Sequence, residues 1–302
     1  MQNFYSNGKL LITGEYAVLD GAKSFAIPTK YGQDFVVQNI SEPLIIWQSF
    51  DCNNKQWFAC TFTLPNLEIS TPCTDLPVAK ILQKIVKEAL KLDTKNTDKK
   101  SGFFIKTNLS FPRNWGLGSS STLINNVAKW LNINAFELLS KSFGGSGYDI
   151  ACAQNNTAIC YQLVNKKPQI KAVNFNPNFK DSLFFVHLNK KQNSKNAIEN
   201  YRKYTGNIFA FAEEISQLTN AIIASKNCID FEKIMLEHEK IIASVIKQKP
   251  IQKTLFSDYF GQTKSLGAWG GDFILATGNE NTPNYFKNKG FKTVIPYQEM
   301  IL

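Results

Sequence analysis

The segment Pro112-Arg113-Asn114-Trp115-Gly116-Leu117-Gly118-Ser119-Ser120-Ser121-Thr122 constrains this chain more than any other, because it reads as a strand end passing through a glycine turn into a helix. Upstream, Phe103, Ile105, Thr107, Leu109 and Phe111 fall on one side of an alternating run, and Pro112 ends that strand because proline has no N–H for a ladder. Downstream, Ser119 to Trp130 reads as a helix capped by hydroxyls. A helix N-terminus leaves backbone N–H groups without internal partners and carries partial positive charge, and glycines in front of it let an anion come close. Pro112, Gly116, Leu117, Gly118, Ser119, Ser120 and Ser121 are therefore a candidate phosphate cradle. Serine caps also follow glycine turns where nothing binds, so the segment alone leaves both readings open. No lysine follows its second glycine, which argues against a P-loop NTPase.

A chain of 302 residues is long for one core and suits two domains of about 150 residues each. Hydrophobic content of 43%, with 13% aromatic, excludes wholesale disorder. The net charge of +10 invites a nucleic-acid reading, but the chain has two arginines, Arg113 and Arg202, for bidentate base contacts. Its lysines are scattered along helix faces, as at Lys80, Lys84, Lys87 and Lys91 and then Lys95, Lys99 and Lys100, which describes a solvated surface attractive to small polyanions. Cys52, Cys60, Cys73, Cys152, Cys160 and Cys228 form no CxxC pair and have no zinc spacing with His187 or His238, so they read as reduced thiols. No basic segment precedes an apolar one at Met1 and no run of 18 apolar residues occurs. The expectation is a cytoplasmic protein without a membrane span.

Early in the chain, Leu10 to Ile12 is a short buried strand between Gly8 and Gly14, with Lys9 at its mouth and Glu15-Tyr16 beyond the turn. A surface lysine and a turn glutamate account for that cluster as readily as a site does. Strands are expected around Ala26–Pro28, Phe35–Val37, Ile45–Trp47 and Trp57–Phe62, with Tyr31-Gly32 interrupting the first two. The period then changes: Val78, Ile81, Leu82, Ile85, Ala89 and Leu90 mark a helix over Leu76 to Leu92, and a polar loop follows from Asp93 to Ser101. After a short helix near Phe136 to Lys141, the glycines of Gly144-Gly145-Ser146-Gly147 form a loop that a substrate can approach, and Asp149 stands at its end. That carboxylate can orient a hydroxyl or take its proton, or it can cap a helix.

Beyond Asn178, the strand Leu183–Leu188, three helices, the glycine loop of Lys264-Ser265-Leu266-Gly267-Ala268-Trp269-Gly270-Gly271-Asp272 and two more strands suggest helices on one face of an antiparallel sheet.

Three clusters in this order, GKLLITGEYAVLDG, PRNWGLGSSST and KSLGAWGGDF, resemble the three motifs of the GHMP small-molecule kinases across nearly the whole chain. The resemblance implies an α+β, two-domain GHMP kinase fold. An N-terminal nucleotide-binding and catalytic domain like ribosomal protein S5 domain 2 would span 1–178, and a C-terminal ferredoxin-like layer 179–302. Glu15-Tyr16, Gly147-Tyr148-Asp149 and Gly270-Gly271-Asp272 look like the phosphomevalonate kinase branch, whereas Asn7 stands where a proline is usual and Trp269 where a glycine is.

By the same resemblance the chain uses ATP and Mg²⁺ to phosphorylate a hydroxyl or phosphate of a small, acidic metabolite of mevalonate or phosphomevalonate type, as a monomer or homodimer without nucleic acid or membrane. Asp149 would be the base and Lys9 would hold it ionised. Gly116 to Ser120 would hold the triphosphate, Ser120 would ligate Mg²⁺, and Glu137, twelve residues before Asp149, is the nearby acid for a second ligand. Glu15, Tyr16, Ser146 and Gly147 would face the acceptor, with Gly267, Gly270 and Gly271 closing near the phosphates. Arg113, Lys23 and Lys264 are further candidates for recognising an acidic substrate. A non-catalytic metabolite-binding protein of this fold and a diphosphomevalonate decarboxylase-like enzyme are the alternatives.

Overall fold

The computed structural model describes residues 1–94, 101–191 and 194–302, with backbone alone for 194–197. Residues 95–100 of the loop expected over Asp93 to Ser101, with Lys95, Lys99 and Lys100, lie outside the described residues. In chain order the elements are β1 (Gln2–Thr13), β2 (Ser24–Ile40), β3 (Leu44–Phe50), β4 (Gln56–Thr63), β5 (Glu68–Cys73), α1 (Leu76–Leu92), β6 (Gly102–Leu109), α2 (Ser119–Leu131), α3 (Ala135–Ser142), α4 (Tyr148–Gln154), β7 (Ile159–Val164), β8 (Lys167–Ala172), β9 (Leu183–His187), α5 (Ser194–Tyr201), α6 (Ile208–Ala224), α7 (Cys228–Ile246), α8 (Ile251–Leu255), β10 (Thr263–Ser265), β11 (Phe273–Thr277), α9 (Thr282–Asn288), β12 (Val294–Pro296) and α10 (Tyr297–Met300).

Two compact units emerge. The first comprises Met1–Gly8, Tyr31–Arg113 and Leu117–Gln154; the second comprises Lys9–Lys30, Asn114–Gly116 and Asn155–Leu302. The units are interleaved along the chain because β1 and β2 both run from one into the other.

In the first unit the sheet order is β5-β4-β3-β6-β2, with β3 and β6 parallel and the other neighbours antiparallel. The alternation read in β6 holds: Phe103, Ile105, Thr107 and Leu109 are buried. Phe103 and Ile105 share a core with Phe35 and Trp47 of the sheet, Leu82, Ile85 and Val86 of α1, Ile124 and Val127 of α2, and Leu138 of α3. Helix α1 has the expected bounds, and Asp75 caps it by accepting the Val78 N–H at 3.1 Å. Its buried stripe runs through Ala79, Leu82, Ile85, Val86 and Ala89, while Ile81 is exposed, because a 100° step per residue carries it off the face centred on Leu82 and Val86.

Strand β2 is one run of 17 residues where the sequence suggested two. Gly32 is not a turn. A Cβ there would strike the Ser6 carbonyl and the Tyr5 ring, so the glycine is what allows β1 to lie this close.

Helix α2 is also tied down by polar groups on its buried face. Ser6 donates to Asn126 Oδ1 at 2.6 Å, Asn125 Nδ2 donates to Ser6 Oγ at 2.9 Å, and Asn126 Nδ2 donates to the Gln33 carbonyl at 2.9 Å. Asn125 further joins α4, donating to the Ala153 carbonyl at 3.4 Å and accepting from Gln154 at 3.0 Å. Apolar packing lets a helix slide, but these directional bonds fix the axial position of α2 against β1, β2 and α4.

The second unit holds the first part of β2, paired with β7, which pairs with β8, and a four-stranded antiparallel sheet of order β10-β11-β9-β12. Helices α6 and α7 pack on one another, and Phe211, Ala212 and Ile215 of α6 join Ile242 and Ile246 of α7 in a core with Tyr16, Ala17 and Trp269. Thr29 forms a bridge with Ile301, and the Leu302 N–H donates to the Pro28 carbonyl at 3.4 Å. The cysteines are free thiols, as expected. Among the described residues no helix is long and apolar enough to cross a membrane.

Replacing Asn126 by alanine takes the acceptor from the buried Ser6 O–H and a donor from the Gln33 carbonyl. We expect Asn126→Ala to lower stability by about 3 kcal/mol, two unsatisfied groups at the usual cost, measured by urea unfolding.

Candidate active site

The glycine turn belongs partly to each unit, with Asn114–Gly116 in the second and the residues from Leu117 in the first. In the first unit, Gly118 (φ 89°, ψ 38°) occupies the N-cap position of α2 in the left-handed region, and no side chain caps the helix. The expected hydroxyl cap is absent for a geometric reason. The capping position needs the glycine conformation, so the serines begin one residue inside the helix, and the amides of its first turn keep their receptive end free of side-chain oxygen. The hydroxyls go elsewhere. Thr122 Oγ1 donates to Gln33 Oε1 at 2.8 Å, Ser121 donates to Asp149 Oδ2, and Ser120 is exposed.

Asp149 lies in the first turn of α4, where its Oδ1 accepts the Ile150 N–H at 3.0 Å. It therefore serves the helix start with one oxygen while the other meets Ser121, so α2 and α4 are joined at the residue singled out as base. The glycines before it are strained for any other residue: Gly144, Gly145 and Gly147 have φ of 74°, 109° and 86°. A Cβ at Gly144 or Gly145 would meet nothing within 4 Å, so the loop opens to solvent. Glu137 lies on α3 and forms a 3.0 Å ion pair with Lys141, with half its side chain exposed. Among the described residues no group of three or more His, Cys, Asp or Glu could hold a metal ion. Arg113 stacks over the Trp57 ring, its guanidinium carbon 3.6 Å from the centroid.

In the second unit, Lys9 Nζ donates to the Gly116 carbonyl at 3.0 Å. Gly116 has φ 66°, and a Cβ on it would strike the Asp272 carboxylate, so the first glycine of the turn is required by conformation and by space. The neighbouring backbone is held too: His187 Nε2 lies 3.1 Å from the Asn114 carbonyl, and Trp115 meets Phe273 edge to face at 5.4 Å.

Glu15 and Lys264 form an ion pair with no exposed side-chain surface on either partner. Lys264 Nζ also donates to the Ser265 carbonyl at 2.9 Å. This corrects the expectation that Lys264 meets an acidic substrate from outside. Lys23 Nζ reaches Asn220 Oδ1 at 3.5 Å. Glu239 of α7 accepts the Ser265 N–H at 3.1 Å and its hydroxyl at 2.9 Å. His238 Nε2 accepts the Gly14 N–H at 3.1 Å and lies 3.4 Å from Glu15 Oε2. Burial, followed by the Lys264 charge, pushes the His238 pKa well below its ordinary value, so the ring is neutral. Burial also raises Glu15 against the pull of Lys264, and lifts Glu239 to about 7. Tyr16 accepts the Trp269 N–H at 3.2 Å, whereas a Cβ at Gly267 (φ 61°) would meet only open space.

His238 and Glu239 escaped the reading of the motifs. Their signal was present, because they fall on the apolar stripe of α7 with Phe231, Met235 and Ile242, where a polar residue needs a buried partner.

Glu239 lies near Lys264, Ser265 and Glu15, and its raised pKa fixes the sign of a pH effect. A carboxyl raised from 4.5 to about 7 stabilises the fold fully below about 4.5 and loses that contribution as pH climbs to about 7. Thermal unfolding of wild type and Glu239→Gln across this range should therefore give a wild-type Tm that falls relative to the variant's as pH rises.

Neither a protein-family model nor a curated protein matches the sequence. Solved structures resemble the chain in fold. Over 97% of this chain and 96% of the other, the mevalonate kinase of Methanococcus jannaschii superposes with TM-score 0.72 at 19% identity. Phosphomevalonate kinase of Streptococcus pneumoniae, in complex with phosphomevalonate and AMPPNP, gives TM-score 0.69 at 17% identity over 96% of both chains. Lactococcus lactis galactokinase complexed with galactose gives 0.68 at 13% identity, over 99% of this chain and 90% of that one. With the uncapped helix behind a glycine turn, the acid at the head of α4 and the lysine on the Gly116 carbonyl already placed, these likenesses identify the fold as that of the GHMP kinases.

Proposed function

We propose that this chain is an ATP-dependent kinase that phosphorylates a hydroxyl or phosphate of a small, acidic metabolite of mevalonate or phosphomevalonate type. The observation that carries the reading is the start of α2: a helix that leaves a left-handed glycine with no side-chain cap, with Asp149 bonded to the third of its residues. The two-domain description, 1–178 and 179–302 with S5-like and ferredoxin-like layers, belongs to this proposal, as do a cytoplasmic location and a monomer or homodimer.

Phosphoryl transfer asks for in-line placement and charge compensation more than for covalent chemistry. The amides of Gly118, Ser119 and Ser120 offer unpaired donors and the positive end of α2 to a triphosphate. Lys9, on the Gly116 carbonyl, adds an ammonium at the turn. The exposed Ser120 hydroxyl fits a Mg²⁺ that takes its remaining ligands from phosphate and water; Glu137, the other candidate ligand, is engaged by Lys141. Mg²⁺ there would neutralise charge on the phosphates. Asp149 would accept the acceptor's hydroxyl proton at Oδ2, the oxygen that Ser121 now contacts, while its bond to the Ile150 N–H holds the carboxylate in place. Ser146, Gly147, the open backbone at Gly267, and Gly270 and Gly271 are the proposed acceptor and phosphate contacts.

ATP consumption measured side by side with mevalonate, phosphomevalonate, galactose and homoserine tests the reading. We expect turnover of an acidic acceptor. Carbon dioxide release would favour the decarboxylase alternative, and binding without turnover the non-catalytic one. With the active acceptor, Asp149→Ala should lower kcat by about 10²- to 10⁴-fold and Lys9→Ala by about 10²-fold, while Ser120→Ala should mainly raise the KM for Mg-ATP. An Asp149→Ala enzyme that keeps wild-type turnover would rule out the assigned base.

A further inference from the structure

The third glycine loop, Leu266 to Gly271, has little stiffness of its own. Gly267 and Gly270 have φ of 61° and 90°, and Gly271 follows directly. A loop of this composition keeps one conformation only if something outside it imposes one.

Two contacts within the second unit do so, and both come from the turn that ends β1. At the base of the loop, Lys264 is bound to Glu15 with neither side chain exposed, and Glu239 accepts the N–H and hydroxyl of the next residue, Ser265. A buried ammonium without its carboxylate is strongly unfavourable, so strand β10 and the turn after Gly14 cannot separate without stranding a charge. Further along, the Tyr16 hydroxyl accepts the Trp269 N–H at 3.2 Å, in the middle of the loop. Tyr16 itself is fixed from behind: its ring stacks on Tyr201 at 5.6 Å, and Tyr201 donates to Asp20 at 2.7 Å. Trp269 is buried in the same core, which pins the loop centre while Gly267 stays open.

We infer that Glu15 and Tyr16 are positioning residues, which hold the third glycine loop through Lys264 and the Trp269 N–H, and that neither contacts the acceptor. The effect on turnover rests on the kinase reading above; the effect on the loop does not.

Two variants separate positioning from simple stability. Glu15→Met/Lys264→Met removes both buried charges for side chains of similar length, a change that buried ion pairs often tolerate in stability. Tyr16→Phe removes one acceptor and leaves the ring stack intact. Hydrogen–deuterium exchange read on peptides covering Leu266 to Gly271, with α1 and α9 as internal references, should be roughly tenfold faster in the double variant and several-fold faster in Tyr16→Phe, with the references unchanged. Their kcat/KM should fall by about the same factors.

Unchanged loop exchange in both variants overturns the assignment. Faster exchange with wild-type kcat/KM overturns its part in the reaction. If the loop responds and the wild-type protein phosphorylates no acceptor, the kinase reading fails and the positioning of the loop stands.

Discussion

Everything in the first unit that bears on chemistry follows from one backbone constraint, the left-handed conformation of Gly118 at the head of α2. It turns the chain sharply enough for a helix to start directly behind a glycine turn, and it denies that helix a side-chain cap. The serines that would ordinarily satisfy the first amides are displaced into the helix, where they meet other partners: Asp149 for Ser121, solvent for Ser120. Such a helix end needs a firm mount. Asn125 and Asn126 supply it by bonding Ser6, the Gln33 carbonyl and α4, so the open end stands at a defined place.

The second unit solves a different problem. Its early segment, Lys9 to Lys30, has to be joined to elements made much later in the chain, and it is joined by polar contacts as well as by packing. Thr13 and Thr219 share a hydrogen bond of 2.8 Å, Gly14 reaches His238, Glu15 reaches Lys264, and the Lys23 N–H donates to Ser216 at 2.9 Å. Buried polar contacts tolerate few alternatives, so they select one register among the many that apolar packing would accept. The ring of His238 stays neutral because the same burial that strengthens these bonds opposes a second cation beside Lys264.

Much of this could be read in the sequence wherever the cause is local. The period of three and four gave α1 its bounds, alternation gave β6 its buried face, and the glycine-to-serine run gave the start of α2. Where the cause is distant, reading failed. Gly32 looked like punctuation between two strands, yet its reason lies in Tyr5 and Ser6 of another strand. Lys264 looked like a candidate for an acidic substrate because its partner is Glu15, and the pair exists only once the chain has folded. Asp149 was legible as a residue, but its contact with Ser121 depends on how α2 and α4 meet. Short helices such as α8 and α10 carry too few turns to show a period at all.

The bridge between Thr29 and Ile301 has a consequence for synthesis. A ribosome releases β2 early, yet that part of the strand finds this neighbour only when residue 301 has been translated. Until then the second unit carries an unfinished edge, and the interleaved first unit, whose segments end at Gln154, is the part of the nascent chain with all of its own pieces in hand. Folding during translation would thus run in the order in which the units are completed, with the turn at Gly14 to Tyr16 meeting Lys264 and Trp269 before Thr29 meets Ile301.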